Sequence, residues 1–141
     1  MSEPGDLEIV FDPTEAGANV VRARLDAYNF AATGVATWYP VNLLIRNARG
    51  ETLGGVIALA WGGWLAISNV WVDEALRGRG WATRLMDQAE AIGREKGCRF
   101  AFLDTHSFQA RPFYEKRGYE VFGTLDDYPA GHQKFFLRKK L

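Results

Sequence analysis

The chain has 141 residues, enough for one domain with a sizeable core, and its 48% hydrophobic and 24% charged residues make an ordinary globular balance. Seventeen Lys and Arg meet seventeen Asp and Glu for a formal net charge of zero, which argues against a nucleic-acid binder working through bulk basic charge. A single cysteine, Cys98, rules out an intrachain disulfide and suits a reducing cytosol.

Residues Met1 to Asp6 are polar and acidic, unlike a secretion signal. No apolar run reaches the ~18–20 residues of a membrane span, so the expected location is cytoplasmic, with no membrane partner. Leu7 to Phe11 reads as a short strand, ended by Asp12-Pro13. Thr14 opens a helix with Glu15 in its first turn, where the helix dipole favours a carboxylate. Val20, Val21, Leu25, Tyr28 and Phe30 give that helix a moderate apolar face. Gly34 to Pro40 is a loop or a second short helix. Val41 to Arg46, Thr52 to Ala60 and Trp64 to Val72 form an antiparallel meander, turned at Asn47–Gly50 and Gly62-Gly63.

The period then changes. Trp81, Ala82, Leu85, Met86, Ala89 and Ile92 recur at helical spacing, so a helix runs from about Gly80 to Lys96, with Gly97 to stop it. Arg99 to Thr105 is a strand, with Cys98 a small buried residue beside it. A helix through Phe113 to Arg117 tolerates Pro112 near its start and closes at Gly118. Tyr119 to Phe122 and Gln133 to Arg138 are the last strands, around a loop from Asp126 to Gly131. Lys139 and Lys140 read as a solvated charge pair. The order β-α-βββ-α-β-α-ββ implies an α/β sheet with helices on its faces.

Chemistry concentrates where the third meander strand hands over to the long helix, in Arg77-Gly78-Arg79-Gly80-Trp81-Ala82-Thr83. The first turn of a helix has unpaired backbone N–H groups and partial positive charge. Glycines let a phosphate approach the main chain, and Arg77 and Arg79 add full charges, so a diphosphate suits the junction. An exposed basic turn that merely starts a helix is the plainer alternative. A Walker loop is absent for want of Gly-Lys-Ser/Thr, and the dinucleotide-binding Gly-x-Gly-x-x-Gly pattern is incomplete.

Arg77 to Ala82 resembles the Arg-x-x-Gly-x-Gly/Ala loop of the GNAT superfamily of N-acetyltransferases. Phe113-Tyr114-Glu115-Lys116-Arg117-Gly118-Tyr119 is similar to that family's Phe-Tyr-Glu-Lys-x-Gly-Phe/Tyr segment. The element order fits from about Leu7 to Leu141. The resemblance implies a mixed, mostly antiparallel sheet in one domain, residues 1–141, and transfer of acetyl from acetyl-CoA to a primary amine by direct attack. It implies that Val70, Trp71 and Val72 lie along the pantetheine arm, that the Val72 N–H polarises the thioester carbonyl, and that Arg77 to Thr83 cradle the pyrophosphate. Tyr114 would protonate the departing thiolate. Ser107 stands where many relatives have an asparagine that bonds the pantetheine; its shorter side chain implies that this contact is lost or water-mediated. No metal is expected.

Candidates for the base are Asp104 and His106, which share a face by alternation, and His132 in the late loop; a water chain is the alternative. Asp104 could instead cap a helix or pair with an arginine. Trp61, Trp64 and Trp71, with Tyr39 and Tyr128, are core packing or the walls of an acceptor pocket; alternation puts Trp64 and Trp71 on opposite faces. The acidic run Gly123 to Pro129 hints at a cationic small-molecule or peptide amine. A homodimer is possible, and a non-catalytic acyl-CoA-binding module is the alternative reading.

Overall fold

The computed structural model describes residues 5–36 and 38–141. The acidic start of the chain lies mostly outside them. Two compact units form, Met1–Ala36 and Thr37–Leu141.

In the first unit, helix α1 (Glu15–Thr33) starts where Asp12 Oδ1 accepts from both the backbone N–H and the hydroxyl of Thr14. Gly34 ends it at φ 71°, its N–H bonded to Phe30 O. The strand expected at Leu7 to Phe11 is absent: these residues carry no ladder pairing. A strand needs a ladder neighbour to satisfy its backbone, and α1 is the only regular element among the described residues of the unit. No second helix follows Gly34 among the described residues.

The second unit is a six-stranded sheet in the order β1-β2-β3-β4-β6-β5. The strands are β1 (Tyr39–Arg46), β2 (Thr52–Trp61), β3 (Trp64–Val72), β4 (Phe100–His106), β5 (Glu120–Asp126) and β6 (Gln133–Lys140). Every neighbouring pair is antiparallel except β3 and β4, which the crossover helix α2 (Trp81–Glu95) joins in parallel. A short helix, α3 (Arg111–Lys116), links β4 to β5. This is the mixed, mostly antiparallel sheet with flanking helices that the sequence implies.

Leu85, Met86, Ala89 and Gly93 form the buried stripe of α2. Gly93 lets the helix approach closely, since a Cβ there would stand 3.3 Å from Leu65 Cδ2. The innermost side chains are Leu65, Met86, Leu137 and Val56. Burying each stabilises the fold by about 1.5–3 kcal/mol. Glu90 is buried on the same stripe. It accepts from Tyr119 Oη at 2.8 Å and Lys139 Nζ at 2.8 Å, and pairs with Arg117 at 3.2 Å. Lys139 is therefore no solvated end charge. Its aliphatic stem carries the ammonium inward to the buried Glu90 carboxylate.

The ladder between β2 and β3 has one irregularity. Ile57 pairs with Asn69 and Ala58 with Ile67, so Ser68 is an extra residue on β3, its hydroxyl donating to Ile57 O at 3.1 Å. A bulge reverses the alternation beyond it. Leu65 and Ile67 point into the core before the bulge, and Val72 does so after it. Trp64 and Trp71 consequently share the outer face, against the expectation from simple alternation.

Candidate active site

The bulge also parts the sheet. β3 and β4 pair only as far as Ile67 and Leu103. Beyond that, Ser68 to Val72 on one side and Asp104 to His106 on the other border an open cleft of about 860 Å³. Asp73 N–H donates to Leu53 O on β2 at 2.8 Å. Successive residues of a ladder turn their N–H groups to opposite sides, so those of Val72 and Val70 point away from β2 and into the cleft. Arg77 Nε donates to Val72 O at 3.0 Å and holds the guanidinium across the strand end.

The cleft continues into a second hollow lined by Arg77, Gly78, Gly80, Trp81, Ala82 and Thr83. Gly78 and Gly80 have φ 75° and 81°, which L side chains rarely adopt. A Cβ on either would project into open space. Their N–H groups and that of Arg79 donate to no acceptor among the described residues. The next three N–H groups are the free first turn of α2, which Gly80 caps without a side-chain bond. This chain of unspent donors fits a diphosphate. Arg79 lines neither hollow, so a phosphate contact there would come from its main chain.

Across the cleft, α3 presents Tyr114, which is 8% exposed yet lines the cavity. Burial pushes its phenol above the usual tyrosine range, which keeps it protonated and able to donate. Its ring meets Tyr119 edge-on at 6.1 Å, and its carbonyl accepts the N–H of Arg117 at 3.0 Å and of Tyr119 at 3.1 Å. The Glu90 cluster thereby underlies the tyrosine.

Asp104 and His106 both line the cleft, on one face of β4 as alternation requires. Asp104 is held by Lys134 Nζ at 3.5 Å. His106 Nδ1 lies 3.0 Å from Tyr128 O, and its ring stacks on Phe108 at 5.1 Å. His132 meets Phe108 edge-on at 5.0 Å but does not line the cleft. Ser107 turns away too: its hydroxyl accepts the Gln133 N–H at 3.0 Å. Of the sequence's aromatic candidates only Trp71 lines the cavity. Trp61 stacks on Trp38 at 5.2 Å and Trp64 on Phe100 at 4.8 Å, while Lys96 sits over Tyr39.

Sequence reasoning missed Ser68, Asn69 and Gln109, all on the cavity wall. Gln109 Oε1 accepts the His106 N–H at 2.7 Å and the Thr105 hydroxyl at 3.2 Å, fixing the end of β4. A lone Gln four residues after a buried Thr carries no signal until the turn is seen. Cys98, buried beside β4, has its thiol pushed up by desolvation. No group of three or more His, Cys, Asp or Glu among the described residues could hold a metal, and no helix there is long and apolar enough to cross a membrane.

A parted sheet, a run of main-chain donors without protein acceptors and a buried tyrosine thus border one cleft. The model of the acetyltransferase (GNAT) family matches residues 15–119, and the chain belongs to that family. It is 33% identical over 133 residues to acetyltransferase Atu2258 of Agrobacterium fabrum, covering 94% of this chain and 97% of that one. It is 39% identical over 94 residues to the blasticidin-S acetyltransferase of Streptomyces morookaense, 66% of this chain and 69% of that one. A crystal structure of an acetyltransferase from Bacillus cereus superposes with a TM-score of 0.81 at 33% identity, over 95% of this chain and 98% of that chain. The protein is an acetyltransferase.

Proposed function

We propose that the protein acetylates a primary amine of a small molecule or peptide by direct attack, with both substrates bound together. The observation that carries this reading is the parting of β3 from β4 at Ile67 and Leu103, which turns the N–H groups of Val70 and Val72 and the buried Tyr114 toward one cavity.

The Val70 and Val72 main chain pairs with the pantetheine arm as a short strand would. The Val72 N–H donates to the thioester carbonyl, and one such fixed donor is worth roughly 10²–10³ in rate. Gly78, Gly80 and the first turn of α2 hold the pyrophosphate, with Arg77 adjoining. Tyr114 gives its proton to the departing sulfur. Asp104 and the outer face of Trp71 suit a cationic acceptor with some apolar surface. That one relative is a blasticidin-S acetyltransferase makes blasticidin S a fitting first acceptor to try. The protein works in one domain, in the cytoplasm, on a free amine rather than on nucleic acid.

The test is release of free thiol from acetyl-CoA with blasticidin S, spermidine or a lysine-bearing peptide. Thiol release with at least one of them, matched by product mass, is expected. Tight CoA binding without release for any of them would favour a non-catalytic acyl-CoA-binding module.

A further inference from the structure

His106 stands at the last position of β4, where the strand has left β3 but still pairs with β6 through Lys134. Its ring is fixed on three sides. Phe108 stacks on one face with planes 9° apart, and the Tyr128 ring tilts against it at 5.5 Å. The Tyr128 carbonyl lies 3.0 Å from Nδ1. A carbonyl oxygen can only accept, so Nδ1 carries the proton and donates it. A neutral imidazole with hydrogen on Nδ1 has its lone pair on Nε2. Nε2 has no protein partner among the described residues, and His106 lines the cleft that Val72 and Tyr114 share.

The other candidates lack this combination. Asp104 is already paired with Lys134. His132 lies behind Phe108, off the cavity wall. Resting on the amine-acetylation reading above, we infer that His106 is the general base, held by the Tyr128 carbonyl in the tautomer that offers Nε2 to the acceptor. The base thus comes from β4 and its orienting group from the β5–β6 turn. That turn is closed by Tyr128 N–H to His132 O at 3.2 Å and His132 N–H to Pro129 O at 2.9 Å.

The acceptor ammonium gives one proton to Nε2. The lone pair so freed forms the N–C bond to the thioester carbonyl carbon. The C–S bond breaks with its electrons on sulfur, which takes the Tyr114 proton. The second proton leaves the nitrogen through solvent and restores the Tyr114 phenol, and the imidazolium sheds its proton before the next turnover. The charged and titratable groups facing His106 are Lys134 from β6, Asp104 from β4 itself and His132 and Tyr128 from the turn. Arg77 and Tyr114 lie across the cleft.

Two measurements test the assignment. Nitrogen-15 NMR of the imidazoles in the unsubstituted protein needs no acceptor. It is expected to show neutral His106 protonated at Nδ1, and an Nε2–H tautomer would overturn the inference. The second compares His106→Gln with the unsubstituted protein, using whichever of blasticidin S, spermidine and the lysine-bearing peptide turns over fastest. The expected result is a kcat lower by about 100-fold, an unchanged acetyl-CoA KM, and loss of the acidic limb of the kcat profile. Retention of both kcat and that limb would refute the role of His106 while leaving acetyl transfer standing. If the unsubstituted protein acetylates none of the three amines yet binds CoA, amine acetylation itself fails and this inference with it.

Discussion

Along the donor wall of the cleft, from Val70 to Thr83, the groups that meet the cavity are main-chain N–H groups beyond a bulge, two left-handed glycines and a helix start. Along the facing wall, from Asp104 to Gln109, they are side chains: a carboxylate, an imidazole, a phenyl ring and an amide. The two walls teach different things about what a sequence discloses. A main-chain site constrains backbone dihedrals, and that constraint writes glycine into fixed positions. A side-chain site can be met by many residue types, so its chemistry surfaces only when the fold brings them together.

The hardest test of this contrast is to add methyl-sized volume to the donor wall. Gly78→Ala with Gly80→Ala adds two Cβ atoms, at φ 75° and 81°, to residues that line the hollow where a phosphate fits. Each costs the fold about 1–2 kcal/mol in backbone strain. The acetyl-CoA Kd is expected to rise at least ~100-fold, equivalent to about 2.7 kcal/mol. Isothermal calorimetry reads it directly. An unchanged Kd would mean that the donor is held elsewhere, and the contrast between the walls would be lost.

Tyr114→Phe is next in size and sits where the walls meet. It keeps the ring packed against Phe113 and Tyr119 and removes only the hydroxyl. A fall in kcat of about 10- to 100-fold with little change in acetyl-CoA KM is the expected outcome of steady-state kinetics. A larger KM effect than kcat effect would make Tyr114 part of the donor wall rather than of the chemistry.

The same contrast explains which features were legible in the sequence. The meander, α2 and its glycine-arginine junction follow from period and turn chemistry alone. Tyr114 is legible because the Phe-Tyr-Glu-Lys-x-Gly-Tyr segment is long. The Ser68 bulge is not, since one extra residue in a ladder leaves no compositional mark, yet it reverses the face of Trp71 and opens the cleft. Leu7 to Phe11 has a strand's composition without a partner in its unit, and composition cannot supply one. Ser107 occupies a position that resemblance ties to the cofactor, but its hydroxyl is bonded to the Gln133 N–H instead of turned to the cavity. Glu90 looks like any polar residue in an amphipathic helix until Arg117, Tyr119 and Lys139 reach it from later parts of the chain.

The smallest expected effect sharpens the comparison from the side of stability. Asp104 is open to water on the acceptor wall, whereas Tyr114 is buried where the walls meet, and desolvation raises its phenol. Tyr119, buried against Glu90, is raised further, by desolvation first and the neighbouring carboxylate second. Both are acids that the fold holds neutral. The unfolded chain releases these protons at about pH 10 and the folded one only at higher pH, so between those limits the native state binds more protons. Their contribution is complete below about pH 10 and is lost as pH rises through the folded-state values, at up to about 1.4 kcal/mol per pH unit for each phenol. Denaturant melts from pH 9 to 11 should show stability falling with pH in the unsubstituted protein. The fall should be shallower in Tyr114→Phe and Tyr119→Phe, with the greater relief in Tyr119→Phe. An equal slope in all three would show that neither phenol is protected from solvent, and Tyr114 would then resemble the open acceptor wall rather than the closed floor beneath the donor.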